Sequence, residues 1–157
     1  MATLEEEVVS ILKQNKVVMS TAESCTGGMI ASSIVNVPGA SSVLHQGYVT
    51  YSDLAKHRML GVKKHTLKKY KAVSANTARE MAIGCRKKAK ADLGVSVTGV
   101  AGPDTEDGKP VGLVYIGCVY QNHIIVKECH LEGDRSKIRK EAARRALLLV
   151  KSMVLHA

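Results

Sequence analysis

The sequence predicts a three-layer α/β domain, with one mixed sheet covered by helices on both faces. Three observations carry that expectation. Helical and strand-like patterns follow each other in the order helix, strand, helix, strand, helices, strand, two strands, helix. Two short valine-rich stretches, at 17–19 and 95–97, each lead into a small, glycine-bearing loop, as buried strands of a doubly covered sheet do. Two later strand-like stretches are joined by a short polar turn, which makes that part of the sheet antiparallel.

Each element has a local reason. Residues 3–15 read as a helix: Thr3 caps it, Glu6 stands three residues on, and Leu4, Val8, Ile11 and Leu12 share one face. Val17, Val18 and Met19 form a short buried strand that opens into the loop Thr21–Gly28, and a second helix is expected near 27–35. Pro38-Gly39 marks a turn. Alternation over Val43–Tyr51 predicts a strand, after which Ser52 caps a short helix running through Met59 and Gly61 ends it. Residues 62–71 hold five lysines around a helical turn. Ser74 caps a long helix over 75–91, with Ala78, Met81, Ala82 and Cys85 facing inward. Val95-Ser96-Val97 is a buried strand ending at Thr98–Pro103, and Asp104–Pro110 is a polar loop. Strands over 111–120 and 124–131 form a hairpin about Gln121-Asn122-His123. Asp134 caps a final helix over 135–155. With no repeat, low-complexity tract or linker, the 157 residues are expected to form one domain spanning 1–157.

Composition narrows the function. Five Tyr with no Phe and no Trp leave an aliphatic core and few rings on which bases could stack, which disfavours a single-strand nucleic-acid binder. The formal charge of +9 favours anionic ligands by long-range steering. The run Lys63, Lys64, Lys68, Lys69 and Lys71 reads as a solvated face sooner than as a nucleic-acid site. Cys25, Cys85, Cys118 and Cys129 are far apart with no CxxC pair, so buried free thiols in a reducing compartment are expected, not zinc or disulfides. The six histidines show neither HxH nor HExxH, and no metal or other cofactor is expected. The acidic, amphipathic start is not a secretory signal and no apolar run could span a bilayer, so a cytoplasmic protein without membrane contact is expected.

Chemistry concentrates at the two loops that leave the ends of buried strands, where open α/β sheets bind ligands. Ser24 stands just before a helix start: it can cap that helix, or act as a nucleophile with the amides of Cys25, Thr26 and Gly27 as an oxyanion hole. A serine needs a base, and Lys56, one turn into the helix that Ser52 caps, can serve if burial and the positive helix end lower its pKa. Tyr51 is close in sequence and could orient the amine or relay a proton. Cys25 is the rival nucleophile, with a helix start to lower its pKa but no histidine placed to pair with it.

The stretch Thr21-Ala22-Glu23-Ser24-Cys25-Thr26-Gly27-Gly28 resembles the signature of the CinA C-terminal domain family, the nicotinamide mononucleotide deamidases. The likeness continues through Gly47–Ser52 with Lys56, Leu60-Gly61-Val62, Ala72-Val73-Ser74 and Glu80-Met81-Ala82. It resumes at Ser96–Pro103, Lys109-Pro110-Val111-Gly112 and Gly133-Asp134-Arg135, covering about residues 4–154. The resemblance implies metal-free hydrolysis of the carboxamide of nicotinamide mononucleotide, in pyridine nucleotide salvage, by a protein that forms homo-oligomers. Carried over by position, it implies Ser24 as nucleophile, Lys56 as base and Tyr51 as supporting hydroxyl. It further implies a substrate site at Thr26, Gly27, Gly28, Ser41, Thr98, Gly99 and Arg135, with Ser42 beside Ser41 as an alternative.

Arg135 at a helix start suits a phosphate, or is a surface residue beside the Asp134 cap. Thr98 contacts substrate, or its hydroxyl bonds backbone at the strand end. Glu23 is expected to bond loop amides. The loop 104–108 lacks the family's paired glycines and Leu113 replaces a usual threonine, changes that bear on loop shape and substrate fit. A non-enzymatic alternative is a module that senses a phosphorylated nucleotide or docks another protein.

Overall fold

The computed structural model describes residues 1–157. Its elements are α1 (Leu4–Gln14), β1 (Met19–Glu23), α2 (Met29–Val35), a 3-10 turn (Ala40–Ser42), β2 (Leu44–Val49), α3 (Asp53–Leu60) and α4 (Lys64–Tyr70), then α5 (Ala75–Ala89), β3 (Leu93–Gly99), β4 (Leu113–Tyr120), β5 (His123–His130) and α6 (Arg135–Leu155). The order is the expected one. The caps fall where the sequence puts them: the side chains of Thr3, Ser52, Ser74 and Asp134 each accept an amide from the first turn of their helix.

The strands lie in the order β2-β1-β3-β4-β5. The first three are mutually parallel and β4 runs antiparallel to both of its neighbours, which is the mixed sheet the sequence predicts. Helices α1, α2 and α6 pack together on one face, while α5 crosses the other with α3 and α4 packed beside it. The main core lies under α1, α2 and α6 and is aliphatic, from Val8 and Leu12 through Val95, Val97 and Ile116 to Ile138 and Val150.

β1 departs from expectation. The sequence predicts a strand at 17–19 and a loop from Thr21, whereas the strand spans Met19–Glu23. Hydroxyls and a carboxylate at 20–23 read as loop, yet every residue of the strand is buried between β2 and β3. Ser20 Oγ donates to Gln46 O and the Glu23 carboxylate receives amides from α2, so the burial of these two polar groups is compensated. β3 is longer than expected, and its alternation divides labour. Leu93, Val95 and Val97 enter the main core, while Gly94, Ser96 and Thr98 face α5 and the loop before it. That second file is small because the helix lies close: Ser96 Oγ donates to Ala78 O and Thr98 Oγ1 to Ala72 O.

A similar close approach seats α3. A Cβ on Gly84 of α5 would overlap the carbonyl oxygen of Leu60, so the last turn of α3 rests directly on helix backbone. The lysines of the run 63–71 are exposed on and around α4. No helix is long and apolar enough to cross a membrane.

Candidate active site

The site is built where the parallel strands end. Ser24 follows β1, and its N–H donates to Val97 O at 3.0 Å, which pins it to β3. Thr50 follows β2, and its N–H donates to Glu23 O at 2.8 Å, which pins it to β1. From Thr50 the chain passes Tyr51, takes the Ser52 cap, and turns back as α3. Lys56, one turn in, therefore points at the end of β1. Its Nζ lies 3.0 Å from Ser24 Oγ and donates to Thr50 O at 2.8 Å. Lys56 is 2 % exposed, and burial pushes its amine below the ordinary lysine range, opposed by the carboxylates of Asp53 and Glu106 and by Cys25.

The loop after Ser24 is fixed from two sides. Glu23 is buried, and its Oε1 receives Thr26 Oγ1 at 2.7 Å, Gly28 N at 3.2 Å and Ile30 N at 2.9 Å, while Oε2 receives Ala31 N at 3.1 Å. Gly28, the N-cap of α2, has a φ of 107° and no side chain, so this carboxylate supplies the cap. On the other side Arg139 of α6 donates from Nε to Cys25 O at 2.8 Å and from Nη2 to Thr26 O at 3.1 Å. Gly27 N donates to Ser24 O at 3.0 Å. The amides of Cys25 and Thr26 donate to nothing in the chain. Of the three amides expected as an oxyanion hole, Gly27's is thus engaged within the loop and two remain.

Ser24, Cys25 and Lys56 open on a cavity of about 560 Å³, which Tyr51, Arg135 and the loop from Thr98 to Glu106 also line. Carboxylates of Asp53, Asp104 and Glu106 share its wall with Lys56 and Arg135, so both signs of charge are present. Arg135 spans the mouth: Nη1 donates to Gly102 O at 2.6 Å and Nη2 to Tyr51 Oη at 2.8 Å. Tyr51 is exposed, and its hydroxyl is partnered by Arg135, not by Lys56 as the sequence suggested.

The remaining expected residues are placed as follows. Gly99 lines the cavity, and Thr98 borders it with its hydroxyl bound to Ala72 O. Thr26 is buried with its hydroxyl on Glu23, Gly28 gives its amide to the same carboxylate, and neither they nor Gly27 lines the cavity. Ser41 does not reach the cavity. It lies in the 3-10 turn before β2, at the opposite end of that strand, roughly 20 Å from Thr50 by strand length. Ser42 lies beside it and donates to Gly39 O. Burial pushes the Cys25 thiol up to about 11, the reverse of what a nucleophilic cysteine needs. Cys25, Cys85, Cys118 and Cys129 are all buried and free, as expected, and no cluster of three or more potential metal ligands occurs. Arg139 was not anticipated.

The fold and site define an α/β domain with a buried lysine amine against a serine hydroxyl at the carboxyl ends of its parallel strands. The chain belongs to the CinA C-terminal domain family, whose model matches residues 1–154. It is 51% identical over 154 residues to a CinA-like protein of Kosmotoga olearia, covering 98% of this chain and 37% of that protein. The chain thus spans little more than a third of the curated relatives it matches. A CinA superfamily protein from Klebsiella pneumoniae superposes with a TM-score of 0.95 at 32% identity, covering 98% of this chain and 97% of that one. A competence/damage inducible protein from Agrobacterium tumefaciens does so with a TM-score of 0.90 at 36% identity, covering 97% and 98%.

Proposed function

We propose that the chain is a serine amidohydrolase that converts nicotinamide mononucleotide to nicotinate mononucleotide and ammonia. The observation that carries this reading is the buried Lys56 amine 3.0 Å from Ser24 Oγ, with a pKa lowered by burial. A neutral lysine has one lone pair and two N–H bonds. Thr50 O takes one hydrogen, and the lone pair is then available to the serine hydroxyl.

The reaction follows from that arrangement. Lys56 takes the Ser24 proton as Oγ bonds to the carboxamide carbon, and the carbonyl oxygen becomes an oxyanion facing the Cys25 and Thr26 amides. On collapse the carbon–nitrogen bond breaks, the leaving nitrogen takes the proton from the Lys56 ammonium, and ammonia departs. Water then attacks the ester carbon while Lys56 takes its proton. That proton returns to Ser24 Oγ as the product leaves as the carboxylic acid, which then ionises by giving its remaining proton to solvent.

The walls of the cavity support the substrate class. Nicotinamide mononucleotide joins a cationic pyridinium to an anionic phosphate. Arg135 uses two of its five N–H groups on Gly102 and Tyr51, leaving three for a phosphate. Asp53, Asp104 and Glu106 supply negative charge for the ring.

Ammonia release from nicotinamide mononucleotide tests the proposal. Ser24→Ala is expected to abolish release while melting within a few degrees of the parent protein. Full turnover in that variant removes Ser24 as nucleophile. No release from the parent, combined with thermal stabilisation by the nucleotide, supports a sensing module instead.

A further inference from the structure

We infer that Arg139 aims the oxyanion-binding amides: by holding the carbonyl oxygens of Cys25 and Thr26, it fixes the peptide planes beside the nucleophile. This inference rests on the amidohydrolase reading above.

A trans peptide is planar, and its C=O and N–H point in opposite directions. Fixing one carbonyl therefore aims the following N–H. Ser24 O is held by Gly27 N at 3.0 Å, which turns the Cys25 N–H the other way. Cys25 O is held by Arg139 Nε at 2.8 Å, which does the same for the Thr26 N–H. Thr26 O is held twice, by Arg139 Nη2 and by Met29 N, each at 3.1 Å. Every carbonyl from 24 to 26 is thus engaged, while the two N–H groups between them are not. Unpartnered donors are rare in folded chains. Here they follow the serine directly, in a loop whose next residue, Gly27, holds a φ of 58° with Arg139 Nη2 3.3 Å from where a Cβ would sit.

The residue type matters. A guanidinium is a planar fork whose Nε and Nη2 meet two adjacent carbonyls at once, whereas a lysine offers a single point donor. Arg139 is one helical turn beyond Arg135, so the first turns of α6 supply both the mouth of the cavity and the brace beneath the loop. Arg139 does not touch Ser24 Oγ or Lys56 in this arrangement; it is a positioning residue.

Arg139→Met and Arg139→Lys separate this role from simple attachment of α6 to the loop. Kinetics of ammonia release are measured against pH, and the Cys25 and Thr26 amides are followed by nitrogen-15 NMR and hydrogen exchange. Arg139→Met is expected to lower kcat about 100-fold, the scale of losing one oxyanion donor. KM and the position of the Lys56 limb in the pH profile stay unchanged, and Arg139→Lys falls between. In both variants the Cys25 and Thr26 amide resonances shift and exchange faster, while those of Ser20 and Ala22 in β1 hold. Arg139→Lys alone decides the matter if Arg139→Met does not fold. A kcat within twofold of the parent, a loss confined to KM, or unmoved amide resonances overturns the inference. A parent protein that releases no ammonia ends the functional reading, and the oxyanion role with it. Shifted amides in that case leave Arg139 as a brace of the loop alone.

Discussion

Glu23→Gln is the most informative substitution outside the nucleophile and its base, because it changes one atom in a buried carboxylate that takes four hydrogen bonds. Glutamine can keep its oxygen at the Oε1 position, where Thr26 Oγ1 and the Gly28 and Ile30 amides converge. Its NH₂ group then meets the Ala31 N–H, so donor faces donor where Oε2 accepts at 3.1 Å. One orphaned buried donor costs about 1–3 kcal/mol. Removing a negative charge from the start of α2 costs about 1 kcal/mol more, and the three surviving bonds lose their charge assistance. Relief from burying a carboxylate offsets part of this, leaving a loss of about 3 kcal/mol. At 157 residues each kcal/mol moves Tm by about 2–4 °C, so a fall of roughly 6–12 °C is expected by calorimetry. Ammonia release should fall with it, since Ser24 is the next residue. A Tm within 2 °C of the parent would mean that the carboxylate is not the cap of α2.

Lys56→Arg should lose about 1,000-fold in kcat, because a guanidinium stays protonated at neutral pH and cannot accept the serine proton. In the parent the active form is the neutral amine, so the rate should climb with pH and level off below the ordinary lysine range, as burial lowers Lys56. A plateau only near the pKa of free lysine, or turnover retained by the arginine variant, would remove Lys56 as base. Cys25→Ala should retain turnover, and iodoacetamide at pH 7 should leave the parent active. A thiol raised to about 11 is only about one part in 10⁴ thiolate at that pH. Rapid inactivation by alkylation at Cys25 would restore it as the nucleophile.

Much of this was legible in the sequence because it is written locally. Caps at Thr3, Ser52, Ser74 and Asp134 and hydrophobic periodicity locate four helices, and the Ser52 cap puts Lys56 one turn into its helix. What was not legible depends on contacts far along the chain. β1 is hidden by its own polar residues, whose partners are Gln46 and the start of α2. Thr98 reads equally as ligand or strap until β3 is seen to turn its small residues toward α5. Tyr51 is near Lys56 in sequence, but its hydroxyl meets Arg135 from the far end of the chain. Arg139 lies 114 residues from Cys25 and carries no local signal beyond its spacing of four from Arg135.

The bare patch at Gly84 bears on chemistry it never touches. Leu60, whose carbonyl rests there, is one turn beyond Lys56 on the same short rod. The thickness of a single missing methyl group therefore sets how closely that rod approaches α5, and with it the reach of the amine. A side chain at this contact with α5 would act as a spacer, withdrawing the base from its serine while leaving every wall of the pocket chemically intact.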